Sequence, residues 1–140
     1  EKYDAIFNLF TSVGYFEDDA DNHKTIKAIH NSLTETGFAV IDFMNVDYVV
    51  ENLVADEVKS VDGIDFHIKR YLKDGHIYKE IDFEDKGEKF HFTEKVQALR
   101  LEDFEKIMEE AGIYLLDIFG DYKLRKFFKT QSERLIMIFK

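Results

Sequence analysis

Apolar residues gather in short continuous runs at 3–10 (YDAIFNLF), 38–44 (FAVIDFM), 113–119 (IYLLDIF) and 134–139 (RLIMIF). Runs of this length predict strands covered on both faces, as in a parallel sheet. Between the first two, Ile26, Ile29 and Leu33 recur at helical spacing. This predicts a helix over 22–36, capped by Asp21 or Asn22 and ended by Gly37. Strand, helix, strand in so short a stretch is a right-handed βαβ unit. Asn45 is placed to cap a short helix carrying Tyr48, Val49 and Leu53. Leu101, Phe104, Ile107, Met108 and Ala111 mark a second long helix over 101–111, with Gly112 at its end.

The pattern changes to strict alternation over 64–72, 76–84 and 89–97, with Asp74-Gly75 and Lys86-Gly87 between the runs. These are hairpin signals. Two-residue turns there pair Leu72 with Ile77, Arg70 with Lys79, Ile68 with Ile81 and Phe66 with Phe83. The second turn pairs Phe83 with Phe90, Ile81 with Phe92, Lys79 with Glu94 and Ile77 with Val96. One face then carries an aromatic row, aliphatic rows and a charged row of Arg70, Lys79 and Glu94. Opposed cations are unfavourable in a sheet, and charges on an apolar face need partners. The excess positive charge has two destinations, an acceptor carboxylate or a protein carboxylate such as Asp121 in a structural ion-pair network. The other face sets His67 and His91 against Asp82, beside Lys69, Glu80 and Lys95. That is the pattern of a solvated charge set rather than of metal ligands. His23 and His30, seven apart, miss the i, i+4 spacing of helical metal sites. No metal and no nucleophilic triad is expected.

These elements predict an α/β fold. Residues 1–56 and 98–140 form a Rossmann-like portion around strands 3–10, 38–44 and 113–119, with an antiparallel last strand. Residues 57–97 form a three-stranded antiparallel insertion. The carboxyl ends of parallel strands coincide, which gathers Asn8–Ser12, Asp42–Asn45 and Gly120–Tyr122 on one rim, joined by Ser132 and Arg134; ligands of open α/β sheets bind there. Strand 3–10 would stand bare at the sheet edge, and apolar edges are normally covered. Missing strands, or a homodimer formed through strand 3–10, would cover it. The chain opens at Glu1 without an initiator Met and enters a strand at once, as expected for an excerpt of a longer protein.

Charge and composition narrow the partners. The net charge of −10 repels phosphate backbones and anionic bilayers, so no nucleic-acid or membrane partner is expected. There are no cysteines, hence no disulfide framework and no thiolate site. No apolar stretch nears the roughly 20 residues of a membrane span. A soluble, cytoplasmic protein is the expectation.

The stretches YDAIFNLFTSVGYFED, ETGFAVIDFMN, FHIKRY, FTEKVQ, LEDFEKIMEEAG and FGDYKLRKF…SERLIMIFK cover nearly the whole chain in one order. That ordered set resembles the C-terminal half of a class I S-adenosylmethionine-dependent methyltransferase, of the small-molecule type with an antiparallel lid-like insertion. Glu35-Thr36-Gly37 replaces the family's Pro-Gly-Gly-like turn. The family's glycine-rich loop and acidic ribose-binding residue belong to the upstream half. The resemblance implies methyl transfer from S-adenosylmethionine to a small-molecule acceptor, with the isolated chain inactive. It implies that Asn8, Leu9, Phe10 and Ser12 touch the methionine part of the cofactor. Their structural alternative is that Asn8 and Ser12 only satisfy loop backbone groups. Tyr15 would face the acceptor, as would Tyr122 on the third rim and Arg70, Lys79 and Glu94 on the insertion. Tyr15, Tyr122 and Glu94 are available as bases, none of them assigned. The rival reading is a non-catalytic interaction module that oligomerises through strand 3–10.

Overall fold

The computed structural model describes residues Glu1–Lys140. In chain order the elements are β1 (Tyr3–Asn8), α1 (Asp19–Asn31), β2 (Leu33–Met44), α2 (Val46–Glu51) and β3 (Asp56–Val61). They continue with β4 (Ile64–Lys73), β5 (His76–Asp85), β6 (Glu88–Gln97), α3 (Leu101–Glu110), β7 (Leu115–Phe119) and β8 (Arg134–Phe139). The chain folds as two compact units, Glu1–Val49 with Leu99–Lys140, and Val50–Ala98. No helix is long and apolar enough to cross a membrane.

The first unit is built on a mixed sheet in the order β1-β2-β8-β7. β1 and β2 are parallel, and β8 runs antiparallel to both β2 and β7. Strands β1, β2 and β7 therefore point the same way and share one carboxyl end. The central strands are buried on both faces. Ala39, Ile41 and Phe43 of β2 and Leu135, Met137 and Phe139 of β8 have essentially no exposed surface on one face, and Asp42, Met44 and Ile136 are buried on the other, which is why both read as nearly unbroken apolar runs. Phe43 meets Phe104 of α3 edge-on, with ring centroids 5.2 Å apart.

The helix expected over 22–36 lies instead at Asp19–Asn31. Its cap is Asp18, not Asp21 or Asn22, with the Asp18 carboxylate accepting from the Ala20 amide at 2.9 Å. Leu33 is buried as the first residue of β2, not as the last turn of a helix. β2 advances five positions, from Leu33 to Phe38, where β1 advances two, from Tyr3 to Ala5. Gly37 sits in that bulge rather than at a helix end. A Cβ there would come within 2.9 Å of the Tyr3 carbonyl oxygen, so close backbone approach is what requires glycine.

The second unit is an antiparallel sheet in the order β3-β4-β5-β6. Its turns Asp62-Gly63, Asp74-Gly75 and Lys86-Gly87 have both residues at positive φ, the mirror-image turns whose twist matches that of the strands. The register is the one expected, with Leu72 opposite Ile77, Arg70 opposite Lys79 and Lys79 opposite Glu94. Phe66, Phe83 and Phe90 form the aromatic row, with successive centroids 4.8 and 4.9 Å apart. On the opposite face, His91 Nδ1 lies 2.6 Å from Asp82 Oδ1.

The insertion carries a fourth strand, β3, beyond the three expected, and it gives Arg70 a carboxylate partner that the three-stranded reading lacked. β3 places Glu57 opposite Ile68, on the face of the charged row. Arg70 Nη1 donates to Glu57 Oε2 at 2.6 Å, while Lys79 lies 3.9 Å from Glu94. Arg70 thus has a carboxylate of its own sheet as partner, and Glu57 also takes Lys59 Nζ at 3.3 Å. Asp121, the protein carboxylate considered for this role, instead binds Arg125 at 2.6 Å.

The Arg70 guanidinium, with help from Lys59 and against some desolvation, holds the Glu57 carboxyl below its ordinary value of 4.5. A depressed carboxyl contributes stability above its unfolded pKa, and that contribution is lost as pH falls through the lower folded value. Acidification from about pH 5 to about pH 3 should therefore lower the melting temperature of the wild type more than that of Glu57→Gln. Parallel melting profiles for the two proteins would contradict the pairing.

Candidate functional site

The rim is organised around one charge. Asp42 is the single ionisable residue in the run FAVIDFM, and it is 1% exposed. An isolated carboxylate at such depth is prohibitively costly, and the strand register supplies its counter-ion. Met44 lies opposite Arg134 and Asp42 opposite Ile136, so Arg134 shares the face of Asp42, one diagonal step away. Arg134 Nε donates to Asp42 Oδ1 at 2.8 Å.

Asp42 Oδ2 accepts twice more, from the Phe10 amide at 3.0 Å and from the Tyr122 hydroxyl at 2.9 Å. The Asp42 main-chain carbonyl accepts from the Thr11 amide at 3.0 Å. Arg134 Nη2 closes the ring by donating to Thr11 Oγ1 at 2.9 Å. Phe10 and Thr11 lie at φ 61° and 54°, two successive left-handed residues without glycine. Such conformations persist only where surrounding contacts over-determine them. Val13, 1% exposed, then returns the loop to the core.

Of the residues picked out on the first rim, Asn8 and Ser12 bond to each other, Ser12 Oγ donating to Asn8 Oδ1 at 2.7 Å. This occupies the carboxamide oxygen of Asn8 and leaves its amide nitrogen as a donor. Leu9 and Phe10 are 42% and 75% exposed, an apolar wall fit for a methylene chain, with the Asn8 amide fit for a carboxylate. Tyr15 stands exposed further along the loop. Tyr122 meets Phe10 edge-on, with centroids 6.3 Å apart. Burial, and then its hydrogen bond to Asp42, push the Tyr122 phenol above its ordinary value of 10.0. At neutral pH this side chain keeps its proton and donates it in the hydrogen bond to Asp42. Arg70, Lys79 and Glu94 lie in the other unit, in the ion-paired row described above.

Asn45 does not spend its side chain on the α2 cap. Its amide nitrogen donates to the carbonyls of Lys129 and Ser132 at 2.8 and 2.7 Å, pinning the long β7–β8 loop that carries Tyr122. Gly120 closes the neck of that loop, where a Cβ would lie 2.7 Å from Ser132 Cβ, closer still to Ser132 Oγ and 3.1 Å from the Lys126 carbonyl oxygen. Gly120→Ala should destabilise by about 1–3 kcal/mol in urea unfolding, and Ser132→Gly should recover part of the loss. Additive single effects in that double-mutant cycle would refute the steric cause.

The sequence put Asp42, Thr11 and Arg134 on the rim without connecting them. The available signal was the lone acid in an apolar strand and the arginine opening its antiparallel neighbour.

Solved structures match this chain over its whole length. A S-adenosylmethionine-dependent methyltransferase from Clostridium acetobutylicum ATCC 824 superposes with a TM-score of 0.83 at 25% identity, over 99% of this chain and 58% of its own. The chain has the fold of an S-adenosylmethionine-dependent methyltransferase. The CcbJ methyltransferase from Streptomyces caelestis matches with a TM-score of 0.82 at 12% identity, over 100% of this chain and 57% of its own. CalS10, an amino pentose methyltransferase from Micromonospora echinaspora solved with S-adenosylmethionine bound, gives 0.68 at 14%, over 99% and 58%. This chain thus spans well under two thirds of the length of the structures it matches. No family model matches the sequence, nor does any curated protein.

Proposed function

We propose that this chain is the C-terminal part of an S-adenosylmethionine-dependent methyltransferase acting on a small-molecule acceptor, active only with its upstream part. The observation that carries this reading is the rim, where a buried carboxylate braces a strained, apolar-walled loop at the shared carboxyl end of β1, β2 and β7. In this reading Asn8, Leu9, Phe10 and Ser12 line the methionine portion of the cofactor, and Tyr15 and Tyr122 face the acceptor. CalS10 is an amino pentose methyltransferase, which supports an amine-bearing small molecule as acceptor.

The cofactor supplies a methyl group on a sulfonium. The acceptor lone pair attacks that carbon in line, the carbon–sulfur bond breaks, and the electron pair returns to sulfur. Such a displacement asks the protein mainly for alignment. A neutral amine brings its own lone pair and loses its proton afterwards, so no residue of this chain is required to act as base.

Calorimetric titration with S-adenosylhomocysteine tests the reading on this chain and on a longer chain continuing upstream of Glu1. Binding by the longer chain is expected. A second reading rests on β1, which pairs only with β2 and exposes Tyr3 and Phe7, and makes the chain an interaction module that dimerises through that strand. Absence of binding by both chains, with dimers in sedimentation, would replace the enzyme by that module.

A further inference from the structure

We infer that Asp42 is a positioning residue for donor binding, acting through the left-handed pair Phe10–Thr11 and braced by Arg134 and the Tyr122 hydroxyl. The inference rests on the methyltransferase reading and adds to it residues that do not themselves touch the donor.

Three hydrogen bonds reach the loop after β1, and two more hold Asp42 itself. Asp42 takes the Phe10 amide on its carboxylate and the Thr11 amide on its carbonyl. Arg134 donates to the Thr11 hydroxyl and to Asp42 Oδ1, and the Tyr122 hydroxyl donates to Oδ2, the oxygen that also accepts from the Phe10 amide. The guanidinium also lies over the Tyr122 ring, 5.8 Å from its centroid. Neither Phe10 nor Thr11 is a residue that adopts positive φ by preference, so their conformation is imposed by these bonds. That conformation aims Leu9 and Phe10 outward while Val13 turns back into the core. A core ion pair would have no need to capture an amide of an exposed loop or the phenol of a residue that is 60% exposed. A device that sets the loop in advance of the donor would do both.

The test uses the full-length protein and S-adenosylhomocysteine. Tyr122→Phe removes one brace from a largely exposed ring and should raise the dissociation constant about three- to tenfold, with little change in melting temperature. Asp42→Asn, compared only where its melting curve stays cooperative, should raise it further, and in both variants KM for the donor should rise before KM for the acceptor. Thr11→Gly, which adopts positive φ without strain, should restore part of the donor affinity of Tyr122→Phe. Wild-type affinity in Tyr122→Phe and Asp42→Asn would overturn the inference, as would a rise confined to the acceptor KM. If the wild type itself fails to bind S-adenosylhomocysteine, the methyltransferase reading falls, a result distinct from binding that the variants leave unchanged.

Discussion

Asp42→Ala is expected to cost about 3–5 kcal/mol of folding stability, because removing one member of a buried ion pair leaves the other uncompensated. The stranded groups are the Arg134 guanidinium, 20% exposed in its side chain, and the Phe10 amide, both deprived of their acceptor. Tyr122 loses its partner too, but its exposed ring lets the hydroxyl turn to water. Urea unfolding measures the loss. Asp42→Ala/Arg134→Leu should be more stable than Asp42→Ala alone, since the double variant buries no unpaired charge. A single-mutant loss below about 1 kcal/mol, the range of surface pairs, would mean that water reaches the pair.

Phe104→Ala is expected to cost a similar amount, about 3–5 kcal/mol, by the transfer and cavity terms of a large buried aromatic. Phe104 is fully buried, and its edge-on contact with Phe43 joins α3 to the centre of the sheet. Ile107 and Met108 alone would then hold that helix face to the core. Phe104→Leu, which keeps most of the volume, should lose distinctly less. Equal losses for the two variants would argue that α3 detaches altogether once the aromatic contact is gone.

The second unit was legible almost residue by residue. Its register follows from two-residue turns whose chemistry is local, and side-chain alternation then assigns every face. The missing piece was β3. Its exposed Val58 and Val61 and mostly polar pattern carry no periodicity that separates an edge strand from a loop. That omission hid Glu57, the carboxylate that Arg70 binds. The helix α1 was displaced for a related reason. Leu33 continues the helical spacing of Ile26 and Ile29, yet pairing with Tyr3 buries it in a strand, and tertiary contact overrides local periodicity.

The site was legible as a set of positions and illegible as a network. Parallel strand direction alone brings Asn8–Ser12, Asp42–Asn45 and Gly120–Tyr122 to one rim. The two successive left-handed residues had no sequence signal, because Phe10 and Thr11 are not types that favour that conformation. By itself the sequence determined the α/β class, the hairpin register and which loops share the carboxyl edge, since these depend on local pattern and strand direction. Only the tertiary structure decided what the buried charge of Asp42 holds. A carboxylate inside an apolar strand must find donors, and which ones it finds depends on groups 32, 80 and 92 residues away that only the finished fold brings within reach.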